Sequence, residues 1–241
     1  MRLTVFNGSP RGKKSNTKVL LDHFLEGFVA THWNTYELAY LIHVKEAKKF
    51  FTLFQNAEEV ILAFPLYTDA MPAIVKTFIE SLEPLCGCAG LPGIGFIVQS
   101  GFPESRHSRY IERYLEKLAG RLGCQYKGTV IKGGVEAIRI DPLLDKRLHK
   151  WISKIGKATD LAGVGHLLNN ENLSKIFYML GKTYGKTGEF DKEIVKKLTQ
   201  PERLTRFGFL LYRVIAHRLY WDLLLKKNNA VENRDKKPFI R

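Results

Sequence analysis

The sequence predicts an α/β protein, with a doubly wound, five-stranded parallel sheet of order 2-1-3-4-5 and a C-terminal helical extension. Short β-rich segments alternate with helical ones up to residue 132, the pattern of right-handed βαβ units. The run Val-Ile-Leu-Ala-Phe at residues 60–64 does not alternate with polar residues, as expected of a strand that helices cover on both faces. Beyond Asp141 only helical periodicity remains.

The elements follow in order from the amino terminus. The first strand, residues 2–6, leads through a turn into a helix ending near Ala30, whose apolar residues recur at helical spacing. Further strands are predicted at residues 35–39, 60–64, 95–99 and 126–132. The intervening helices are predicted at residues 46–56, 72–82 and 107–122. Pro72 suits the first turn of its helix, where a missing N–H costs nothing.

The extension, residues 161–241, follows a predicted domain of residues 1–160. Helices are predicted at residues 142–159, 173–184 and 201–227. The last helix has two apolar faces. One comprises Phe207, Leu210, Val214, Trp221 and Leu225, and the other comprises Tyr212, Ile215, Leu219 and Leu223. Because a helix that is apolar on two sides needs two partners, we expect a homodimer. Packing within one chain and peripheral membrane attachment are the alternatives.

Composition narrows the function classes. The chain has 241 residues and a formal net charge of +14, and residues 161–241 hold 16 basic and 8 acidic residues. These charges are scattered, which favours a solvated surface over a nucleic-acid site. No apolar stretch approaches the roughly 18 residues of a membrane span and no secretory leader is seen, so we expect a cytoplasmic protein without stable membrane insertion. Three cysteines make neither a disulfide framework nor a four-thiolate metal site.

The first loop, residues 7–17, reads Asn-Gly-Ser-Pro-Arg-Gly-Lys-Lys-Ser-Asn-Thr between the first strand and the first helix. Such a turn places backbone N–H groups and the positive end of a helix around an anion. Hydroxyl, amide and guanidinium groups add donors. The loop therefore predicts a phosphate site, and an ordinary loop capped by Ser15 is the alternative. It is neither a P-loop nor a GxGxxG turn.

Two more loops follow the third and fourth strands. The second loop, residues 64–73, is expected to form a rigid, partly apolar lip of Pro65, Leu66 and Tyr67 beyond the strand end, suited to a flat aromatic ligand. The third loop is residues 99–105. In an open sheet of order 2-1-3-4-5 a ligand binds outside the carboxyl ends of the strands, at the switch point. The three loops are neighbours there and can converge on one ligand.

These residues resemble the flavodoxin-like NAD(P)H-dependent FMN reductases, which include quinone, azo and nitro reductases. The resemblance lies in Gly8-Ser9-Pro10-Arg11 with Ser15-Asn16-Thr17, and in Pro65-Leu66-Tyr67 with Met71-Pro72-Ala73. It implies that the FMN phosphate is held by Ser9, Arg11, Ser15, Asn16 and Thr17. It also implies that the isoalloxazine ring is contacted by Pro65, Leu66, Tyr67, Ser100 and Gly101.

The resemblance implies an enzyme that takes hydride from NADH or NADPH and reduces a quinone, nitro compound or similar small acceptor. No catalytic side chain or metal is expected, since the flavin carries the chemistry. Asp69 departs from the pattern, and we expect it to cap the following helix. An electron-carrier flavodoxin is one alternative, although the basic chain disfavours it. Another is a non-catalytic binding module whose basic tail engages nucleic acid or a membrane.

Overall fold

The computed structural model describes residues 1–31, 33–136, 138, 170–214 and 221–233. The strands are β1 (Arg2–Asn7), β2 (Thr35–Tyr40), β3 (Glu59–Leu66), β4 (Gly93–Ser100) and β5 (Tyr126–Lys132). The helices are α1 (Asn16–Val29), α2 (Ala47–Gln55), α3 (Ala73–Ser81), α4 (Tyr110–Leu122), α5 (Asn170–Thr187), α6 (Lys192–Leu198), α7 (Arg206–Val214) and α8 (Asp222–Lys227). Every strand predicted from the sequence is confirmed, with small shifts at the ends.

The five strands form one parallel sheet of order β2-β1-β3-β4-β5, which confirms the predicted topology. β3 lies at its centre and is buried almost throughout, as its uninterrupted apolar run predicted. β1 ends opposite Ala63, whereas the pairing of β3 with β4 continues to Leu66. The switch point therefore opens beside the last residues of β3.

Helices cover both faces of the sheet. Side chains alternate along β3, so that Val60, Leu62 and Phe64 join the core beneath α2, α3 and α4, while Ile61 and Ala63 join the core beneath α1. The second core also takes in Phe177, Leu180 and Tyr184 of α5, each with no exposed surface. The sheet is thus the middle of three layers, with α1 and α5 side by side on one face.

Glycines bring α1 and α5 into backbone contact. A Cβ atom on Gly181 would lie 1.8 Å from the carbonyl oxygen of Phe24, and one on Gly27 would lie 1.9 Å from that of Tyr178. No side chain fits at either position, so glycine is what permits this approach. The predicted boundary after residue 160 stays a prediction, but α5 shares a core with the sheet.

The C-terminal third departs from the sequence expectation in two ways. α5 confirms the helix predicted at residues 173–184, but α6 was not foreseen. The helix predicted from Pro201 begins only at Arg206, because residues 201–205 run against the third loop. The helix predicted at residues 142–159 lies outside the described residues, as do Ile215 and Leu219. The predicted homodimer stays a prediction.

Candidate functional site

The first loop is built around Ser15, which is the N-cap of α1. Its hydroxyl accepts a hydrogen bond from the Lys18 N–H at 3.1 Å and donates one to the Gly12 carbonyl at 2.7 Å. Gly12 adopts a φ of +52°, a conformation that favours glycine. Ser15 therefore uses its hydroxyl within the loop, as the capping alternative predicted.

Two further first-loop side chains tie α1 to the end of β4 and to the segment after β5. The Asn16 amide donates to the Val135 carbonyl at 3.2 Å, and the Thr17 hydroxyl accepts from the Gln99 amide at 3.3 Å. Both residues are buried. Their side chains position the loop. A ligand could instead bind their backbone N–H groups, because N–H groups in the first turn of a helix have no intrahelical acceptor.

The exposed part of the first loop is cationic. Arg11 and Lys13 are exposed, and the first turn of α1 has no acidic residue. Ser9 is buried beneath them, where its oxygen accepts from the Arg11 N–H at 3.4 Å. Guanidinium, ammonium and helix N-terminus together make a suitable environment for a phosphate.

The second loop differs from its prediction. Pro65 and Leu66 lie inside β3, paired with Gln99 and Ser100 of β4, and both are buried. Their placement beyond the strand end was wrong. The strand continues because β4 still pairs with it there, and proline is tolerated because β1 has already ended on the other side.

Tyr67 begins a tight turn that forms the remaining lip. Its N–H donates to the Ala70 carbonyl at 2.9 Å, the Ala70 N–H donates back at 3.2 Å, and Thr68 has a φ of +52°. Tyr67 is about half exposed, so its ring is available to a ligand. Asp69 lies exposed in the turn. The predicted capping role of Asp69 is wrong, because the N-cap of α3 is Pro72 and no side chain bonds to it.

The third loop is held by Ser108, just before α4, and by the segment that follows β5. Ser100 is buried, its hydroxyl accepts from that of Ser108 at 3.4 Å, and its carbonyl accepts from the Val135 N–H at 3.2 Å. The Phe102 carbonyl accepts from the Gly134 N–H at 2.7 Å. The segment after β5 therefore fixes the position of the third loop at the carboxyl end of the sheet.

Sequence reasoning missed Glu136 and Tyr212, which lie beside Gly101. A Cβ atom on Gly101 would lie 3.3 Å from Cγ of Glu136. The Tyr212 hydroxyl donates to the Gly101 carbonyl at 3.3 Å, and its pKa is raised by burial and by the nearby Glu136 carboxylate. Glu136 follows β5 at the carboxyl end of the sheet, so the predicted topology could have identified it. Tyr212 lies 111 residues from Gly101, and the sequence pattern placed it only on an apolar face of the last helix.

Residues 199–212, here called the strap, run across the third loop and the start of α4. The N–H groups of Ser105 and Arg106 donate to the carbonyls of Pro201 and Glu202. The Leu204 N–H donates to the Glu104 carboxylate at 2.7 Å, and the Arg109 guanidinium bonds to the Glu202 carboxylate at 2.9 Å. The extension is thus attached to one of the three loops of the predicted site.

A buried lysine anchors the strap to the sheet. Lys132, at the end of β5, donates to the Gln200 carbonyl at 3.2 Å and has 4% of its surface exposed. Burial lowers the pKa of this amine from 10.5 to about 8, since a low-dielectric environment disfavours the charged form. Ser105 is buried nearby in the chain's third loop, and its hydroxyl has no partner among the described residues.

The three loops meet as the topology predicted. The Gly8 N–H donates to the Ala63 carbonyl at 2.7 Å, and a Cβ atom on Gly8 would lie 2.3 Å from Cγ2 of Val75 in α3. The first loop therefore rests directly on the end of β3, and Thr17 joins it to β4 through Gln99. A separate groove of about 700 Å³ runs along the outer edge of β5 between Arg109 and α6.

Among the described residues, no group of three His, Cys, Asp or Glu side chains could hold a metal ion, and no helix is long and apolar enough to span a membrane. Cys86 and Cys88 are exposed and free, and Cys124 is buried.

Residues 1–83 match a family model described as having a flavodoxin-like fold. The chain has a flavodoxin-like fold. This agrees with the resemblance carried by residues 8–17 and 65–73. No curated protein matches the sequence.

Solved structures show the same architecture. The NAD(P)H:quinone oxidoreductase from Methanothermobacter marburgensis aligns with a TM-score of 0.52 at 13% identity, over 78% of this chain and 99% of that one. An FMN-dependent NADH-azoreductase from Bacillus anthracis, solved in complex with FMN, aligns with a TM-score of 0.50 at 14% identity, over 76% of this chain and 99% of that one. At such identities these likenesses establish the fold.

Proposed function

We propose that this flavodoxin-like protein is an FMN-dependent oxidoreductase that takes hydride from NADH or NADPH and reduces a quinone, nitro compound or similar small acceptor. The observation that carries the proposal is the junction of the first, second and third loops at the switch point. The names of the structurally similar proteins, an FMN-bound azoreductase and a quinone oxidoreductase, support the same choice.

The first loop fits the phosphate of FMN in charge and in donors. Arg11 supplies an exposed guanidinium. The Ser15 hydroxyl caps the N–H of Lys18, so it does not occupy the N–H groups of Asn16 and Thr17, the first two residues of α1. The phosphate is then held by backbone N–H groups of Asn16 and Thr17 and by Arg11, with Ser9 beneath it. Ser15, Asn16 and Thr17 side chains fix the loop that presents these donors.

The second and third loops would hold the ring. Tyr67 offers the exposed aromatic surface, and Pro65 and Leu66 support it from within β3. Ser100 and Gly101 present backbone on the other side, at a height set by Val135 and Tyr212. FMN supplies the hydride chemistry when bound, and the chain orients the ring between Tyr67 and Gly101.

An FMN titration followed by anaerobic mixing tests the proposal. Saturable quenching of FMN fluorescence, then loss of the visible absorption of oxidised FMN on adding NADH or NADPH, is the expected result. Binding without reduction by either nucleotide would favour an electron carrier. No binding would overturn the proposal and favour a non-catalytic module.

The phosphate assignment has its own variant. Arg11→Ala should weaken FMN binding by about 1.5–3 kcal/mol, because it removes a charge-assisted hydrogen bond. Arg121→Ala is the matched control, because Arg121 is an exposed arginine in the last turn of α4, at the opposite end of the strands. This variant should bind FMN normally. Equal affinity in the two variants would remove Arg11 from the phosphate site.

A further inference from the structure

The outer side of α7 presents a compact apolar face to solvent. Phe207, Leu210 and Val214 are 66%, 57% and 51% exposed. At 100° per residue they fall within an arc of about 60° on the helix. Phe209, about 130° around the helix from the centre of these three residues, is also more than half exposed. We call Phe207, Leu210 and Val214 the outer face.

The opposite side of α7 is fixed to the protein. Gly208 is buried, Tyr212 bonds to the third loop, and Leu204, just before the helix, is buried with its N–H on Glu104. These contacts hold the helix in one orientation. The exposure of the outer face is therefore set by the way α7 packs, with the inward side already occupied.

Exposed arginines lie beside the outer face. Arg206 and Arg213 are exposed and lie about 70–90° around the helix from the centre of the outer face, both on the same flank, and Arg203 precedes the helix. The sequence from Arg203 to Val214 contains no Asp or Glu. Within the described part of the chain, no carboxylate lies within ion-pair distance of these three arginines.

We propose that the outer face of α7 docks on an anionic membrane surface. An apolar helical face with an aromatic residue and with arginines along one flank has the composition of helices that lie in the lipid headgroup region. Anionic lipids complement both parts of this surface, because the apolar side chains pack against acyl chains and the arginines pair with the anionic headgroups. A second copy of the chain on the same face would bring two sets of exposed arginines together, which like-charge repulsion opposes.

The position of the face connects it to the predicted site. Tyr212, on the inner side of α7, bonds to Gly101 in the third loop, so docking would bring the proposed flavin site to the lipid surface. The docking itself does not depend on the proposed function, since a chain that binds no FMN would still bind vesicles. Failure of one proposal is therefore distinguishable from failure of the other.

Vesicle co-sedimentation of the full chain without FMN tests the proposal. Vesicles of phosphatidylcholine containing phosphatidylglycerol should bind the protein at least about tenfold more tightly than phosphatidylcholine alone. The triple variant Phe207→Ser, Leu210→Ser and Val214→Ser should lose at least about tenfold in binding. The matched control replaces three exposed apolar residues elsewhere, Val44, Tyr110 and Met179, by serine and should bind like the parent chain.

A second variant keeps the apolar face intact. Arg206→Gln with Arg213→Gln should lose about tenfold in binding to the anionic vesicles and most of the dependence on salt. It decides the matter if circular dichroism shows that the triple variant is unfolded. Equal binding to neutral and anionic vesicles, or undiminished binding by both variants, would overturn the proposal. No vesicle binding, with a light-scattering mass near twice 27.6 kDa that the triple variant lowers to one chain, would assign the face to a second copy.

Discussion

Helices α5 and α7 belong to the same C-terminal third, and the protein uses them in opposite ways. α5 buries Phe177, Leu180 and Tyr184 completely against α1 and the sheet. α7 turns Phe207, Leu210 and Val214 to solvent, and its Tyr212 bonds to the third loop. One helix completes the core, and the other attaches to a loop of the predicted site.

The comparison shows that apolar spacing alone does not reveal where a helix packs. Both helices carry apolar stripes, and α5 has glycines at the positions where the backbone of another helix approaches. Close backbone approach removes water from both helices and adds packing contacts along their length. α7 has one glycine on its inner side and a tyrosine that bonds to a single carbonyl. Substitutions should therefore affect stability much more in α5 than in α7.

The largest expected effect is at the contact of α1 with α5. Gly181→Ala should destabilise the protein by about 4 kcal/mol, because the added methyl group would overlap the Phe24 carbonyl and force the helices apart. Urea unfolding measures it. Gly120→Ala, in α4 with no atom near the added methyl group, is the control and should be neutral or stabilising by up to about 1 kcal/mol. Similar losses in both variants would contradict the close packing.

A matched pair of leucines compares the helices directly. Leu180→Ala should cost about 3 kcal/mol because it leaves a cavity in the core. Leu210→Ala should change the free energy of unfolding by less than about 0.5 kcal/mol, since that side chain is more than half exposed. The same unfolding measurement serves for both. A large loss at Leu210 would mean that the outer face is packed in solution.

Because Lys132 is buried where the strap meets the sheet, the free energy of unfolding should depend on pH. The unfolded chain keeps this proton up to about pH 10.5, whereas the folded protein releases it near pH 8. Between these values the unfolded state binds more protons, so stability rises with pH, by at most about 3 kcal/mol, and the gain is lost as the pH falls through about 8. Lys132→Met should remove this rise. Parallel pH profiles of unfolding free energy for the two proteins would show that the amine is not buried.

The smallest effect is expected at the link between α7 and the third loop. Tyr212→Phe should cost about 1 kcal/mol, the value of one hydrogen bond. It should also speed hydrogen exchange in residues 99–105 and weaken FMN binding, because Gly101 loses its tether. Tyr114→Phe, a half-exposed tyrosine of α4, is the control. If exchange in the third loop matched that of the control, Tyr212 would only attach the helix.

The sheet could be predicted from the sequence because its signals are local. Uninterrupted apolar strands, helical spacing and glycine turns predicted the five strands, and the order known for open sheets of this kind then predicted that the three loops converge. The Ser15 cap was also visible, since a serine before a helical pattern satisfies N–H groups of the first turn.

The rest depended on contacts between distant residues. β3 extends through Pro65 and Leu66 because β4 continues beside it, and a proline in a sequence argues for a strand end. The close packing of α5 on α1 needed the position of Gly181 relative to Phe24, and the link from Tyr212 to Gly101 spans 111 residues. Neither contact leaves a pattern within one segment.

Hydrogen exchange of the full chain with and without FMN tests the central claim most directly, because it shows where the cofactor binds. FMN should slow exchange together in residues 7–17, 64–73 and 99–105, the three loops that meet at the carboxyl end of the sheet. Exchange along the outer edge of β5 should not change. Protection at that edge in place of the loops, or no protection anywhere, would contradict the proposed site.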